Sequence, residues 1–125
     1  MARGDIVTDP ETGAEIVLGD IGTSIVFENE HVRVWEVRLE PGEHQPWHLH
    51  HNPYLVIGIE SANNRMEFLD GSEARHMDET AGHVVFREAG KVHNLTNEGQ
   101  TRYVNRLVEL KMLGEDATGS AGDGR

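Results

Sequence analysis

Short runs of β-branched and aromatic residues, separated by turn-forming ones, make up most of the chain, and stripes with the period of a helix are missing. The runs predict strands at Ser24–Glu28, Val32–Glu40, Tyr54–Glu60, Arg65–Leu69, Glu73–Met77, His83–Arg87, Val92–Thr96 and Tyr103–Lys111. The breaks fall at Glu28-Asn-Glu30, Pro41-Gly42, Asn63-Asn64, Asp70-Gly71, Ala89-Gly90 and Asn97-Glu-Gly99, each containing a residue that tolerates a turn or a positive φ. Asp70-Gly71, between Met66-Glu-Phe-Leu and Glu73-Ala-Arg-His, is the strongest hairpin signal. Eight short antiparallel strands in one unit predict an all-β fold, a small jelly roll or barrel whose interior holds one small ligand.

From the length of 125 residues one hydrophobic core is expected, without a second catalytic domain. Residues 21–113 are expected to form the barrel, preceded by a partly ordered segment over residues 1–20. The acidic, Gly-rich segment 114–125 has almost nothing to bury and is expected to be flexible. Eleven Lys+Arg against 22 Asp+Glu give a net charge of -11, which repels a phosphate backbone or an anionic membrane surface. Five acids against Arg3 in residues 1–20, and three against Arg125 in residues 114–125, place -6 of that charge at the two ends. Neither nucleic acid nor membrane is expected as a partner. No apolar run approaches the ~20 residues of a membrane span and the first residues lack an apolar signal core, so a soluble, cytoplasmic protein is expected. Cysteine is absent, which excludes disulfides, thiolate metal sites and cysteine nucleophiles. Any metal must be held by nitrogen or oxygen.

Four of the eight histidines crowd into Pro41-Gly-Glu-His-Gln-Pro-Trp-His-Leu-His-His-Asn-Pro53. Pro41, Pro46 and Pro53 forbid a helix there, so the segment is read as extended. In a strand His48 and His50 share a face and His51 takes the other. His93 lies in another predicted strand and offers a third imidazole. Three neutral imidazoles suit a divalent transition metal such as Fe, Ni, Cu, Zn or Mn and disfavour Mg or Ca. Trp47 and His44 flank the cluster and are candidates for the substrate pocket, as is Arg106, whose forked guanidinium would select a carboxylate if its strand turns it inward. The strand pattern leaves open whether Tyr103, Asn105 and Leu107 or Val104, Arg106 and Val108 face inward.

These residues resemble the cupins, and specifically the small single-domain "cupin 2" barrels. The first cupin motif is matched by Gly42, five residues, then His48-Leu49-His50. The second is matched by Gly82, five residues, Glu88-Ala89-Gly90, two residues, His93, three residues and Asn97, with Glu88 where the family has proline. The segment from Glu28 to Gly42 also looks like the strand that leads into the first motif in small bacterial cupins, including ones of β-alanine degradation. The resemblance spans most of residues 24–111. It implies a cupin-type double-stranded β-helix, one divalent metal on His48, His50 and His93, a small-molecule substrate and a homodimer.

One departure changes the expected chemistry. Where the family usually places a glutamate ligand, this chain has Tyr54 or Leu55, and the motif's closing glycine falls on Ser61 or Ala62 with Gly58 nearby. A three-histidine site resembles the cupin-type thiol and diketone dioxygenases. The expected activity is therefore a metal-dependent, dioxygenase-type reaction on a small organic acid or dicarbonyl. A cupin lyase or isomerase, or a non-catalytic sensing module, are the alternatives. Tyr54 is the candidate catalytic residue, as hydrogen-bond donor, general acid/base or phenolate ligand. Glu43 or Glu88 replaces the missing carboxylate only if a loop folds inward.

Overall fold

The computed structural model describes residues 4–114. Eleven strands run in the order β1 (Ile6–Thr8), β2 (Glu15–Val17), β3 (Ser24–Glu28), β4 (Val32–Leu39), β5 (His44–His48), β6 (Tyr54–Glu60), β7 (Ala62–Phe68), β8 (Arg75–Glu79), β9 (Val84–Arg87), β10 (His93–Asn97) and β11 (Tyr103–Leu110). A single 3₁₀ turn, Lys111–Leu113, follows. The strands form a five-stranded sheet ordered β3-β4-β11-β6-β9, a four-stranded sheet ordered β5-β10-β7-β8, and a separate β1-β2 hairpin. Every pairing is antiparallel. The chain changes sheet at β4–β5, β5–β6, β6–β7, β8–β9, β9–β10 and β10–β11, which gives the two-sheet, double-stranded β-helix expected.

Register sets which side chains meet between the sheets. On the five-stranded sheet Trp35, Leu107 and Val56 stand in one cross-strand row, and Leu39 faces Tyr103 in another. With Val37, Tyr54 and Ala62 they form the buried core, against which Ile21 and Leu95 pack. Burying such side chains is worth roughly 1.5–3 kcal/mol each, before the entropy of ordering them. The inward set on β11 is thus Tyr103, Asn105, Leu107 and Glu109, all buried.

Local differences from the sequence expectation have local causes. Asn63-Asn64, expected as a break, lies inside β7, because Asn63 bonds to Asp78 and Asn64 to Glu79 on the neighbouring strand. These cross-strand pairs override the turn preference of asparagine. The strand expected at Glu73–Met77 runs from Arg75 to Glu79 instead, because residues 69–74 form a longer connection than a two-residue turn. In that connection Gly71 has φ 85° and Asp70 accepts a 2.8 Å bond from the Ser72 amide. His44–His48 is a strand despite Pro46, which is tolerated because β5 is a sheet edge. Gly58 sits where a Cβ would come 2.4 Å from the Thr80 carbonyl oxygen, so only glycine lets the β8–β9 turn close over β6. Ahead of the two sheets, the β1-β2 hairpin is anchored by fully buried Leu18. The segment expected to be flexible lies, from residue 115 onward, outside the described residues.

Candidate metal centre

His93 is directly opposite His48 in the β10–β5 ladder. The ladder then slips, so that Leu95 pairs with Gln45 and the bulge on β5 turns both Gln45 and His48 inward. His50 lies just past β5, where its carbonyl is held by the Gly90 amide at 3.1 Å. Gly90 (φ 109°) and Lys91 (φ 58°) form a left-handed pair that leads the chain into β10; Lys91 is the sole described non-glycine residue in that conformation. The result brings together the three imidazoles picked out in the sequence. All three are buried, their ring centroids lie 4.5–5.1 Å apart, and one ligand nitrogen from each falls within 4.8 Å of the others.

Burial decides their protonation. It holds His48 down to about 4, against the opposing effect of its bond to Pro46. Burial, with the charges of His48 and Arg87, holds His93 down to about 3, and burial, with the neighbouring histidines, pushes His50 well below the usual imidazole range. All three are neutral at pH 7, the form that donates a lone pair to a metal. His48 donates Nδ1–H to the Pro46 carbonyl at 2.6 Å, which leaves Nε2 as its free electron pair. Nδ1 of His50 is buried without a hydrogen-bond partner, a cost that a bound ion or polar ligand relieves. The donor set therefore fits a divalent transition ion, and the group can hold one.

Tyr54 heads β6 and stacks on His50, with centroids 3.8 Å apart and an interplanar angle of 12°. Burial raises its phenol to about 12, so it is protonated at neutral pH. Cross-strand from Tyr54 is Arg87, which the register turns inward. Glu79 accepts from Asn64, and the Asn105 amide donates to the Tyr103 hydroxyl at 2.8 Å; Glu79, Tyr103 and Asn105 all line the inner cavity. The Asn105 Oδ1 is buried and has no partner. These groups line a small cavity of about 30 Å³ beside the imidazoles. Tyr54, Met66, Arg87 and His93 also line a larger outer chamber of about 470 Å³, so they form the wall common to both.

The three side chains expected around the pocket stand elsewhere. His44 is exposed and lines a surface groove with Arg38 and Glu43. Trp47 is half-buried in the β5 bulge, outside the lining of either chamber, with its carbonyl holding the Gly19 amide at 2.9 Å. Arg106 is turned to the outer face of the five-stranded sheet, where it bonds Glu36 at 3.0 Å, because Asn105 and Leu107 take the inward positions. His51 lines a separate pocket with Arg33 and Glu109. Glu43 bonds the Glu40 amide and Glu88 stays exposed, so neither carboxylate folds onto the imidazoles. Arg87 and Glu79 were not singled out as site residues. No sequence signal pointed to Arg87, since alternation in Val84-Val-Phe-Arg87 favours the apolar pair Val84 and Phe86 inward, whereas the structure exposes that pair and turns Arg87 in.

No family model matches the chain. It is 31% identical over 88 residues, 70% of this chain and 90% of the relative, to the β-alanine degradation protein BauB of Pseudomonas aeruginosa. A crystal structure of a cupin domain from Bordetella pertussis superposes with a TM-score of 0.65 at 24% identity, covering 89% of this chain and 98% of that one. The chain has the cupin fold, and it belongs to the family of this β-alanine degradation protein. A cupin with a double-stranded β-helix fold from Methanocaldococcus jannaschii agrees at TM-score 0.61 and 14% identity, over 96% of this chain and 98% of that one. In this fold both histidine-bearing segments stand together, and Asn97, at the end of the second, has an architectural duty. Asn97 is fully buried, donates to the Leu39 and Thr101 carbonyls at 3.0 and 2.8 Å, and accepts from Gly99 N at 3.0 Å.

Proposed function

We propose that this cupin is a metal-dependent enzyme acting on a small organic acid or dicarbonyl, with dioxygenase-type chemistry. The observation that carries the reading is the convergence of three buried, neutral imidazoles on one cavity wall, a ligand-competent group that includes no carboxylate among the described residues. In this reading His48, His50 and His93 hold the ion, and the Pro46 carbonyl fixes the tautomer of His48. When bound, a divalent ion supplies Lewis-acid polarisation of the substrate and a site for O₂ chemistry, its charge less neutralised than in a site with a carboxylate ligand. Tyr54, held against His50 and protonated, donates a hydrogen bond to the substrate. The apolar walls around Val56, Met66 and Leu107 exclude water from the reacting end.

A cytoplasmic homodimer is part of the same proposal. Its support is an apolar row, Phe27, Val34, Val108, Leu55 and Phe86, in cross-strand register over the outer face of all five strands, with both phenylalanines about half exposed. The test of the activity is oxygen uptake by iron-, nickel-, zinc- and manganese-reconstituted protein against small organic acids and diketones, with His93→Ala as control. Turnover that consumes oxygen and vanishes in the variant supports the reading. Turnover without oxygen moves the assignment to a lyase or isomerase, and metal binding without turnover moves it to a sensing module.

A further inference from the structure

Arg3 and Arg125 lie outside the described residues; of the other nine lysines and arginines, seven make an ion pair with a carboxylate. The two that make none, among the described residues, are Arg75 and Arg87, and both line the outer chamber that leads to the imidazoles. In a chain with twice as many acids as bases, two guanidinium groups that line one chamber and pair with no carboxylate are placed to take an anion from outside.

Their placement is fixed by register. Arg87 faces Tyr54 across the β6–β9 ladder, and Arg75 faces inward-pointing Met66 across the β7–β8 ladder. Among the described residues the side-chain hydrogen bond of Arg87 is a 3.2 Å approach of Nη2 to the Met77 sulfur, a weak acceptor; Glu79 lines the same inner cavity but forms no ion pair with it. Arg75 lies 5.7 Å from the centre of the Phe68 ring, whose other cationic neighbour, Lys91, is already paired with Asp70. Glu73 and Glu88 stand in the same chamber without pairing to either arginine, so its lining carries three cations against two carboxylates. Arg87 alone of the cations also lines the inner cavity.

We propose that the substrate is a small carboxylate, its carboxylate gripped by the Arg87 guanidinium beside the imidazole wall, and that Arg75 draws it into the outer chamber. This deepens the proposed function and rests on the same site. Arg87 is then the residue that determines specificity for an acid over its neutral analogue. Its fork pairs with a carboxylate through two parallel bonds, and an amide of the same shape cannot accept both. Arg75, exposed, contributes steering that weakens with salt.

The test is calorimetric titration of metal-reconstituted protein with acetate, lactate, malonate and succinate, each compared with its amide, using parent, Arg87→Gln, Arg87→Lys and Arg75→Gln. At least one acid should bind tenfold or more tightly than its amide. Arg87→Gln should erase that preference while circular dichroism and metal content stay at the parent's values, and Arg87→Lys should restore part of it. Arg75→Gln should lose a few-fold, more at low salt than at high. Equal binding of every acid and its amide by the parent, or a preference untouched by Arg87→Gln, overturns the proposal. Metal content measured on the same samples separates the two readings: a preference that depends on Arg87 in protein that holds no metal upholds the anion site and removes the metalloenzyme.

Discussion

Acidification of the metal-free protein should unfold it through the three imidazoles, and the size of the effect follows from their burial. In the folded chain His48 titrates at about 4 and His93 at about 3, with His50 also well below its usual range, against 6.5 for an unburied imidazole. Between those limits the unfolded chain binds protons that the folded chain does not. The contribution is therefore fully present above pH 6.5 and is lost as pH falls toward 4. Each imidazole contributes a slope of ~1.4 kcal/mol per pH unit, so three together give ~4 kcal/mol per unit within the window. From pH 7.5 to pH 5 His48 and His93 each cost about 2 kcal/mol, with His50 acting in the same direction, so the set costs a large part of the stability of a small domain. Carboxylates with lowered pKa, such as Glu28, lose their contribution only below about pH 4.5, so they leave this window to the histidines. Urea unfolding of EDTA-treated protein at half-unit pH intervals, beside a His48→Gln, His50→Gln, His93→Gln triple variant, measures the difference. The reasoning fails if parent and triple variant show the same slope between pH 7.5 and 5, or if the parent gains stability on acidification.

Other substitutions test other parts of the account. Glu109→Ala removes the acceptor for Trp35 Nε1 at 2.6 Å, Asn52 Nδ2 at 2.9 Å and Arg33 Nη1 at 3.1 Å, and should cost about 2–4 kcal/mol in urea unfolding. Gly58→Ala drives a methyl group into the Thr80 carbonyl and should cost about 1–3 kcal/mol by the same assay, whereas exposed Gly13→Ala meets no neighbour and tests only its positive φ. Tyr54→Phe should retain stoichiometric metal and the parent's fold yet lower kcat by tenfold or more, with KM changed less. Phe86→Arg, in the outer apolar row, should convert the sedimenting species from dimer to monomer at micromolar concentration.

Much of this was legible in the chain before any coordinates. The β-branched runs named both long pairing partners of the central sheet, since Val32–Leu39 and Tyr103–Leu110 are strands within one residue of the expected ends. The metal-competent histidines were readable from the crowding of four histidines between Pro41 and Pro53 and from the motif spacing of His48, His50 and His93, although His50 lies just past β5 and not on one strand face with His48. The pocket was less readable, for two physical reasons. A bulge in β5 breaks strict alternation, so Gln45 enters the cavity lining while His44 and Trp47 do not, and single-residue slips of this kind leave no mark in composition. On β11 both alternating sets contain apolar residues, and only the packing of Tyr103 and Leu107 into the core sends Arg106 outward. The short hairpin β1-β2 was missed because three-residue strands carry too few positions to show a period.

The central claim is that His48, His50 and His93 hold one metal ion. Plasma mass spectrometry on protein purified without a His tag, with His48→Ala and His93→Ala variants alongside, tests it most directly. The account predicts about one transition metal per chain in the parent and near-complete loss in both variants. Substoichiometric metal that survives reconstitution unchanged, and is the same in parent and variants, would contradict it.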